Sequence, residues 1–223
     1  MNLNHLHSWD MPPKEAIAFQ KELATQVIID RPLDFSRIEL VAGVDVSVKN
    51  GWSQAAVVVL RMQDFSIIET ALAKQPTSYP YIPGLLSFRE GPVLVEAFEK
   101  LTTSPDLFLF DGIGYAHPRR IGIACHMGLW LQKPTVGCGK TRLCGEHPAP
   151  AHEKGGFVPL THKGEEIGAV LTTRTGVKPL FISPGHLCDL PGAIEATMRC
   201  VTRFRLPEPI RCAHNAAGNF QVD

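Results

Sequence analysis

No apolar run in this chain reaches the roughly 18 residues that a membrane-spanning helix requires, so no membrane partner is expected. The opening stretch, Met1-Asn-Leu-Asn-His-Leu-His-Ser-Trp9, lacks the basic segment and apolar core of a secretory signal. A cytoplasmic location is the resulting expectation. The six cysteines, Cys125, Cys138, Cys144, Cys188, Cys200 and Cys212, form no C-x-x-C pair. That argues against a zinc ribbon or a thioredoxin-type motif and for reduced, buried thiols. Neither charge sign is in excess, with 22 Lys+Arg against 22 Asp+Glu. Composition therefore points to no partner, although a local basic face can coexist with acidic catalytic residues. Internal repeats, low-complexity tracts and clear linkers are also missing. At 223 residues the chain is expected to be one domain, 1–223, with a full core.

Regular structure is plentiful. Residues 14–29 follow Pro12-Pro13 and place Ile17, Leu23 and Val27 near helical spacing. Strands are expected over 38–48, 54–64 and 66–74, and the short breaks between them predict an antiparallel meander. A proline-rich loop, Pro80-Tyr81-Ile82-Pro83-Gly84, precedes a helix expected over 92–103. The apolar run 106–110 reads as a buried strand ending at Asp111. A helix is then expected over 118–132, with Pro118 in its first turn, and a strand over 134–138. Residues 140–156 read as a loop, 166–174 and 177–183 as a strand pair, 188–204 as a helix, and the segment around Ala213-His214-Asn215 as a polar tail. The fold class is α/β: a mixed central sheet, an antiparallel meander followed by parallel strands, flanked by helices. That order resembles the ribonuclease H-like fold more than a doubly wound nucleotide-binding fold.

Several side chains could do chemistry. Asp45 is a carboxylate inside the β-branched run Val41-Ala-Gly-Val-Asp-Val-Ser-Val48. It either sits on a solvated strand face or, if buried, needs a partner or a metal. Asp111 closes another apolar strand, beside Gly112 and Gly114, where open α/β sheets place their ligands. If the two strands are neighbours, two like charges converge, and oxygen ligands so arranged suit Mg²⁺ or Mn²⁺. Glu90, before Gly91-Pro92, reads by itself as a carboxylate at a helix entrance. Lys140 ends Gly137-Cys-Gly-Lys140-Thr141, which looks like a phosphate loop but has Pro134 where the first glycine belongs. A nucleotide cofactor is therefore not expected, while a phosphate contact by Lys140 remains open. His147, His152 and His162 show no paired metal-ligand spacing and read as surface residues. Cys125 and Cys138 read as packing residues rather than nucleophiles, because no histidine or oxyanion arrangement accompanies them. Tyr81, held in a rigid loop, is either a packed turn residue or an aromatic wedge for a nucleobase.

Taken together, six segments resemble the endonuclease V family of deoxyinosine-specific nucleases. They are Gly43-Val-Asp45-Val-Ser47, Pro80-Tyr-Ile-Pro-Gly-Leu-Leu-Ser-Phe-Arg-Glu90, Asp111-Gly-Ile-Gly-Tyr-Ala-His-Pro-Arg119, Gly122-Ile-Ala-Cys-His126-Met-Gly128, Gly137-Cys-Gly-Lys140 and Ala213-His214. Each is weak alone, but they occur in the family's order across residues 43–214.

The resemblance implies a ribonuclease H-like core and Mg²⁺-dependent phosphodiester hydrolysis, with Mn²⁺ as a substitute. The implied cut is at the second phosphodiester bond 3′ to the lesion, leaving a 3′-hydroxyl and a 5′-phosphate. By position, Asp45 and Asp111 become metal ligands. Glu90 and His214 orient water around the ion, Glu90 in its outer sphere or at a second ion. Lys140 contacts the phosphate, and Tyr81 fills the gap left by a flipped base. Pro83, Gly84, Leu86, Gly112, Ile123 and Gly137 are expected to wall the base pocket, with His117 also contacting the lesion strand. The implied partner is damaged, inosine-containing DNA, single- or double-stranded, met by a monomer. Two other readings stay open: an inosine-specific endoribonuclease, and a catalytically silent binder of inosine-containing nucleic acid. The silent binder is disfavoured because Asp45, Glu90 and Asp111 are all present.

Overall fold

In the computed structural model, which describes residues 1–220, the meander forms where the apolar alternation places it. Its strands are β1 (Leu40–Lys49), β2 (Trp52–Arg61) and β3 (Ile67–Pro76), paired antiparallel. Asn50 and Gly51 make the first turn, both with positive φ. Five more strands follow: β4 (Leu107–Phe110), β5 (Thr135–Gly139), β6 (Phe157–His162), β7 (Glu165–Leu171) and β8 (Leu180–Pro184). All eight join one sheet in the order β3-β2-β1-β4-β5-β8-β7-β6. Only β1–β4 and β4–β5 are parallel.

Side chains alternate across the sheet with period two, and helices cover both faces. Ala42, Val44, Val57, Val59, Phe108 and Phe110 face α2 (Leu86–Glu99) and α3 (Ile123–Leu131). Val41, Val58, Leu60, Leu107, Leu109, Val136 and Cys138 face α4 (Leu190–Arg199) and α5 (Glu208–Gly218). The first helix, α1 (Pro13–Ala24), buries Ala16, Gln20 and Leu23.

Several boundaries differ from the sequence reading. α1 stops at Ala24, short of 29. α2 begins at Leu86 and runs through Pro92. Proline normally ends a helix in the interior, but here Phe88, Val93, Leu94, Ala97 and Phe98 are all buried, and that packing holds the helix across it. Residues 118–122 are turns and bends, so α3 starts at Ile123. Arg120 has φ +61, a left-handed conformation that a continuous helix could not contain. β6 was not anticipated; it forms a hairpin with β7, and β7 in turn pairs antiparallel with β8. α4 ends at Arg199 rather than 204. The polar tail is in fact helix α5, whose Ile210, Ala213 and Ala217 are buried at helical spacing.

α5 lies close on β1 because position 43 is glycine. A Cβ there would stand 1.9 Å from the Pro209 carbonyl oxygen. Gln54 on β2 adds two bonds, its Nε2 donating to the carbonyls of Ala216 and Ala217 at 3.1 and 3.3 Å.

Candidate active site

Parity along three neighbouring strands assembles the polar end of the cleft. Val41 of β1 faces α5, so by alternation Asp45 does too. The same count takes Leu107 and Leu109 to Asp111, and Val136 and Cys138 to Lys140. β1 and β4 are parallel, with Val44 opposite Phe110, so the two aspartates lie level, Asp45 inside β1 and Asp111 just past the end of β4. The Asp111 amide donates to the Val44 carbonyl at 2.9 Å and extends that ladder by one residue. His214 arrives from α5, whose seating depends on Gly43.

The resulting geometry is tight. His214 Nδ1 donates to Asp45 Oδ2 at 2.7 Å and lies 3.9 Å from Asp111 Oδ2. Lys140 Nζ pairs with Asp111 Oδ2 at 2.5 Å and lies 3.5 Å from His214 Nδ1. That same Asp111 oxygen is buried and has no partner in hydrogen-bonding geometry, so the ammonium neutralises it by charge alone. Ligand atoms of Asp45, Asp111 and His214 all lie within 4.8 Å of one another. Burial raises the Asp45 pKa, and the Asp111 charge raises it further, against lowering by His214 and Lys140. Glu90 reaches the site from α2, on the opposite face, and stands in the second turn of that helix rather than at its entrance. Its pKa is pushed up to about 8, first by burial and then by the charge of Asp45, with Asp111 adding less than Arg89 removes. Two carboxyls and an abutting third, in so small a space, favour a cation between them. Their hard oxygen donors suit magnesium or manganese.

Beside this cluster opens a cavity of about 410 Å³. Its wall includes Tyr81, Pro83, Gly84, Leu86, Gly112, His117 and Ile123, and Asp111 and Lys140 connect it to the carboxylates. Tyr81 stands at its mouth with 68% of its surface exposed. Gly137 is not part of the wall. It lies one layer below, where a Cβ would come within 2.3 Å of the Gly114 amide nitrogen. The wall also includes Ser87, Ile113, Ile121 and Leu143, which the sequence reading did not single out.

The loop carrying Tyr81 is held by one carbonyl. Gly84 O accepts from Gln20 Nε2 at 3.1 Å, His117 Nε2 at 3.0 Å and Arg119 Nη2 at 2.7 Å. Gly84 has φ +82, a conformation that favours glycine, and a Cβ there would stand 2.7 Å from Arg119 Nη2 and push that guanidinium aside. His117 Nδ1 accepts from the Arg119 amide at 3.1 Å, so both ring nitrogens are engaged within the protein. Burial lowers its pKa to about 4, and it stays neutral. Cys125 and Cys138 are fully buried with raised pKa values, which leaves them as protonated packing thiols. No helix among the described residues is long and apolar enough to cross a membrane.

The endonuclease V family model matches residues 21–215. Endonuclease V of Methanothrix thermoacetophila is 48% identical over 96% of this chain and 94% of its own length. The enzyme of that name from Dehalococcoides mccartyi is 50% identical, covering 99% of both chains. Among solved structures, endonuclease V from Bacillus subtilis superposes with a TM-score of 0.92 at 32% identity, over 98% of this chain and 96% of that one. Ciona intestinalis endonuclease V, in complex with a 24mer DNA containing an inosine followed by a ribo-adenosine, gives 0.78 at 26% identity, over 92% and 95%.

Proposed function

This chain belongs to the endonuclease V family, and from that membership we propose that it nicks DNA containing deoxyinosine. The cut would fall at the second phosphodiester bond 3′ to the lesion, leaving a 3′-hydroxyl and a 5′-phosphate. One observation carries the reading: a carboxylate cluster and a base-sized cavity share Asp111 and Lys140.

Asp45 and Asp111 would hold Mg²⁺, or Mn²⁺ in its place, through carboxylate oxygens. When bound, the ion lowers the pKa of water and stabilises the departing 3′-oxygen. Support for the fit comes from the buried Asp111 oxygen, which lacks a hydrogen-bond partner, and from the raised carboxyls around it. Lys140, paired with Asp111, would meet the anionic phosphate. His214 holds Asp45 in position and, with Glu90, orients the attacking water. That water would lose a proton to solvent, its oxygen would bond to phosphorus as the P–O3′ bond breaks, and the departing 3′-oxygen would gain a proton.

Tyr81 would stack in the gap left by the flipped lesion. The cavity would admit hypoxanthine, which lacks guanine's amino group, and the weak pairing of inosine lowers the cost of flipping. Pro83, Gly84, Leu86, Gly112 and Ile123 form its wall in this reading, with Gly137 supporting the floor. The biological role would be repair of deaminated adenine by a cytoplasmic monomer folded as one domain. A second reading, cleavage next to inosine in RNA, draws on the ribo-adenosine in the Ciona complex.

End-labelled deoxyinosine duplex incubated with Mg²⁺ should yield a single nick, and chelator should abolish it. Product of the same length with chelator present would sink the metal assignment. Matched DNA and RNA inosine strands in competition decide between the two substrates.

A further inference from the structure

Behind the cavity runs a chain of hydrogen bonds that the proposed hydrolysis does not use. It begins in the N-terminal arm, where the Asn4 amide donates to the Trp130 carbonyl and Trp9 stacks on Trp130 with ring centres 4.9 Å apart. Between them, His7 Nδ1 lies 2.8 Å from the Ser8 carbonyl oxygen, and His7 Nε2 lies 2.7 Å from His126 Nε2. His126 Nδ1 is in turn 2.9 Å from Ser87 Oγ. His126 is 0% exposed and Ser87 2%. Ser87 is also part of the cavity wall.

The direction of every bond follows from its first member. A carbonyl oxygen only accepts, so His7 Nδ1 bears the hydrogen. Burial lowers the pKa of both imidazoles, and each is neutral with a single N–H. His7 Nε2 is therefore bare and accepts, which makes His126 Nε2 the donor. His126 Nδ1 is then bare, and the Ser87 hydroxyl must donate to it. The only hydroxyl hydrogen of Ser87 is committed away from the cavity, and what remains on its oxygen is lone pairs.

We infer that Ser87 is a specificity-determining residue of the cavity, an acceptor fixed in that role by His126 and His7, which meets the N–H edge of a flipped lactam base. The inference rests on the reading of the cavity as a base pocket. Hypoxanthine and xanthine present N1–H to such an acceptor. Adenine presents a bare N1, lone pair against lone pair, and loses the bond. Guanine also has N1–H, so its exclusion is left to the other walls. His7 and His126 are positioning residues here, since neither touches the base.

The test is single-turnover nicking of two duplexes that differ only in the lesion: deoxyinosine and its 1-deaza analogue, which lacks the N1–H donor and carries its mobile hydrogen on N3 or O6, so that the change in their ratio from wild type to variant reads the N1–H contact. The wild-type protein should prefer deoxyinosine by about tenfold, the scale of one neutral hydrogen bond plus the cost of an unpaired group. Ser87→Ala should bring the ratio near one by slowing deoxyinosine alone. His7→Phe keeps the ring packing and removes both nitrogens, and should lower the ratio by about threefold from outside the cavity. If Ser87→Ala does not fold, His7→Phe decides. A wild-type ratio of one, or a ratio that the folded variants leave unchanged while nicking persists, overturns the inference and leaves the nuclease reading standing. Wild-type protein that nicks neither duplex overturns both.

Discussion

The carboxylate end and the cavity end of the cleft meet at Asp111-Gly112, yet they are held by different means. Strand parity and a parallel backbone ladder set the carboxylate end, and only His214 and Glu90 come from helices. At the cavity end, two loops and α1 are tied by side chains, with Gly84 O as the common knot. One end presents charge around two largely enclosed aspartates. The other ends in Tyr81, which is mostly exposed. On the proposed function the first would serve bond breaking and the second the choosing and holding of a base, so they should fail separately when altered.

The largest expected effect comes from the charged end. Asp111→Ala or Asp45→Ala should cut Mg²⁺-dependent nicking by about 10³ or more, because the metal is worth several kcal/mol in the transition state and each ~1.4 kcal/mol is tenfold. Inosine-strand binding, read by fluorescence anisotropy, should survive far better than turnover. Equal loss of both would mean that the two ends are not separable. At the other end, Tyr81→Ala should weaken lesion-strand binding by about 1–3 kcal/mol, the range for one base–aromatic stack. Metal affinity, measured by Mn²⁺ titration, should not move with it.

A further test reads stability against pH. Glu90 has a folded pKa near 8 against an ordinary 4.5, so the fold favours its protonated form. Its contribution is complete below about pH 4.5 and is lost as pH rises towards 8. Asp45, also raised, acts with the same sign. Thermal melting without divalent cation should therefore show stability falling across that window, and Glu90→Gln should flatten the slope. A melting temperature that climbs across the same window would contradict the raised carboxyl.

Much of this arrangement could be read from the residues because it depends on alternation. A period of two in β1 and β2, and short turns between them, predicted the meander; an apolar run stopped by Asp111 and glycine marked the neighbouring strand end. The helix boundaries were harder. Pro92 looks like a stop, and only the burial of Phe88 and its neighbours explains why α2 runs through it. α5 was hidden by its polar residues, although Ile210, Ala213 and Ala217 already held the helical spacing. β6 escaped because it is an edge strand with Phe157, Pro159 and Thr161 exposed, which leaves little apolar pattern to see. The wall of the cavity was least legible, since residues such as Ser87 and Leu143 come together only through loop closure.

The level placement of Asp45 and Asp111 has a consequence for how this protein can change. Their separation is set by the inter-strand distance, about 4.8 Å in any sheet, and not by the size of the side chains packed around them. Substitutions among the valines, leucines and phenylalanines of the core can shift helices while leaving that spacing intact. The chain can therefore drift widely in its interior and keep the same pair of acids, a tolerance that loops tied by a single carbonyl do not share.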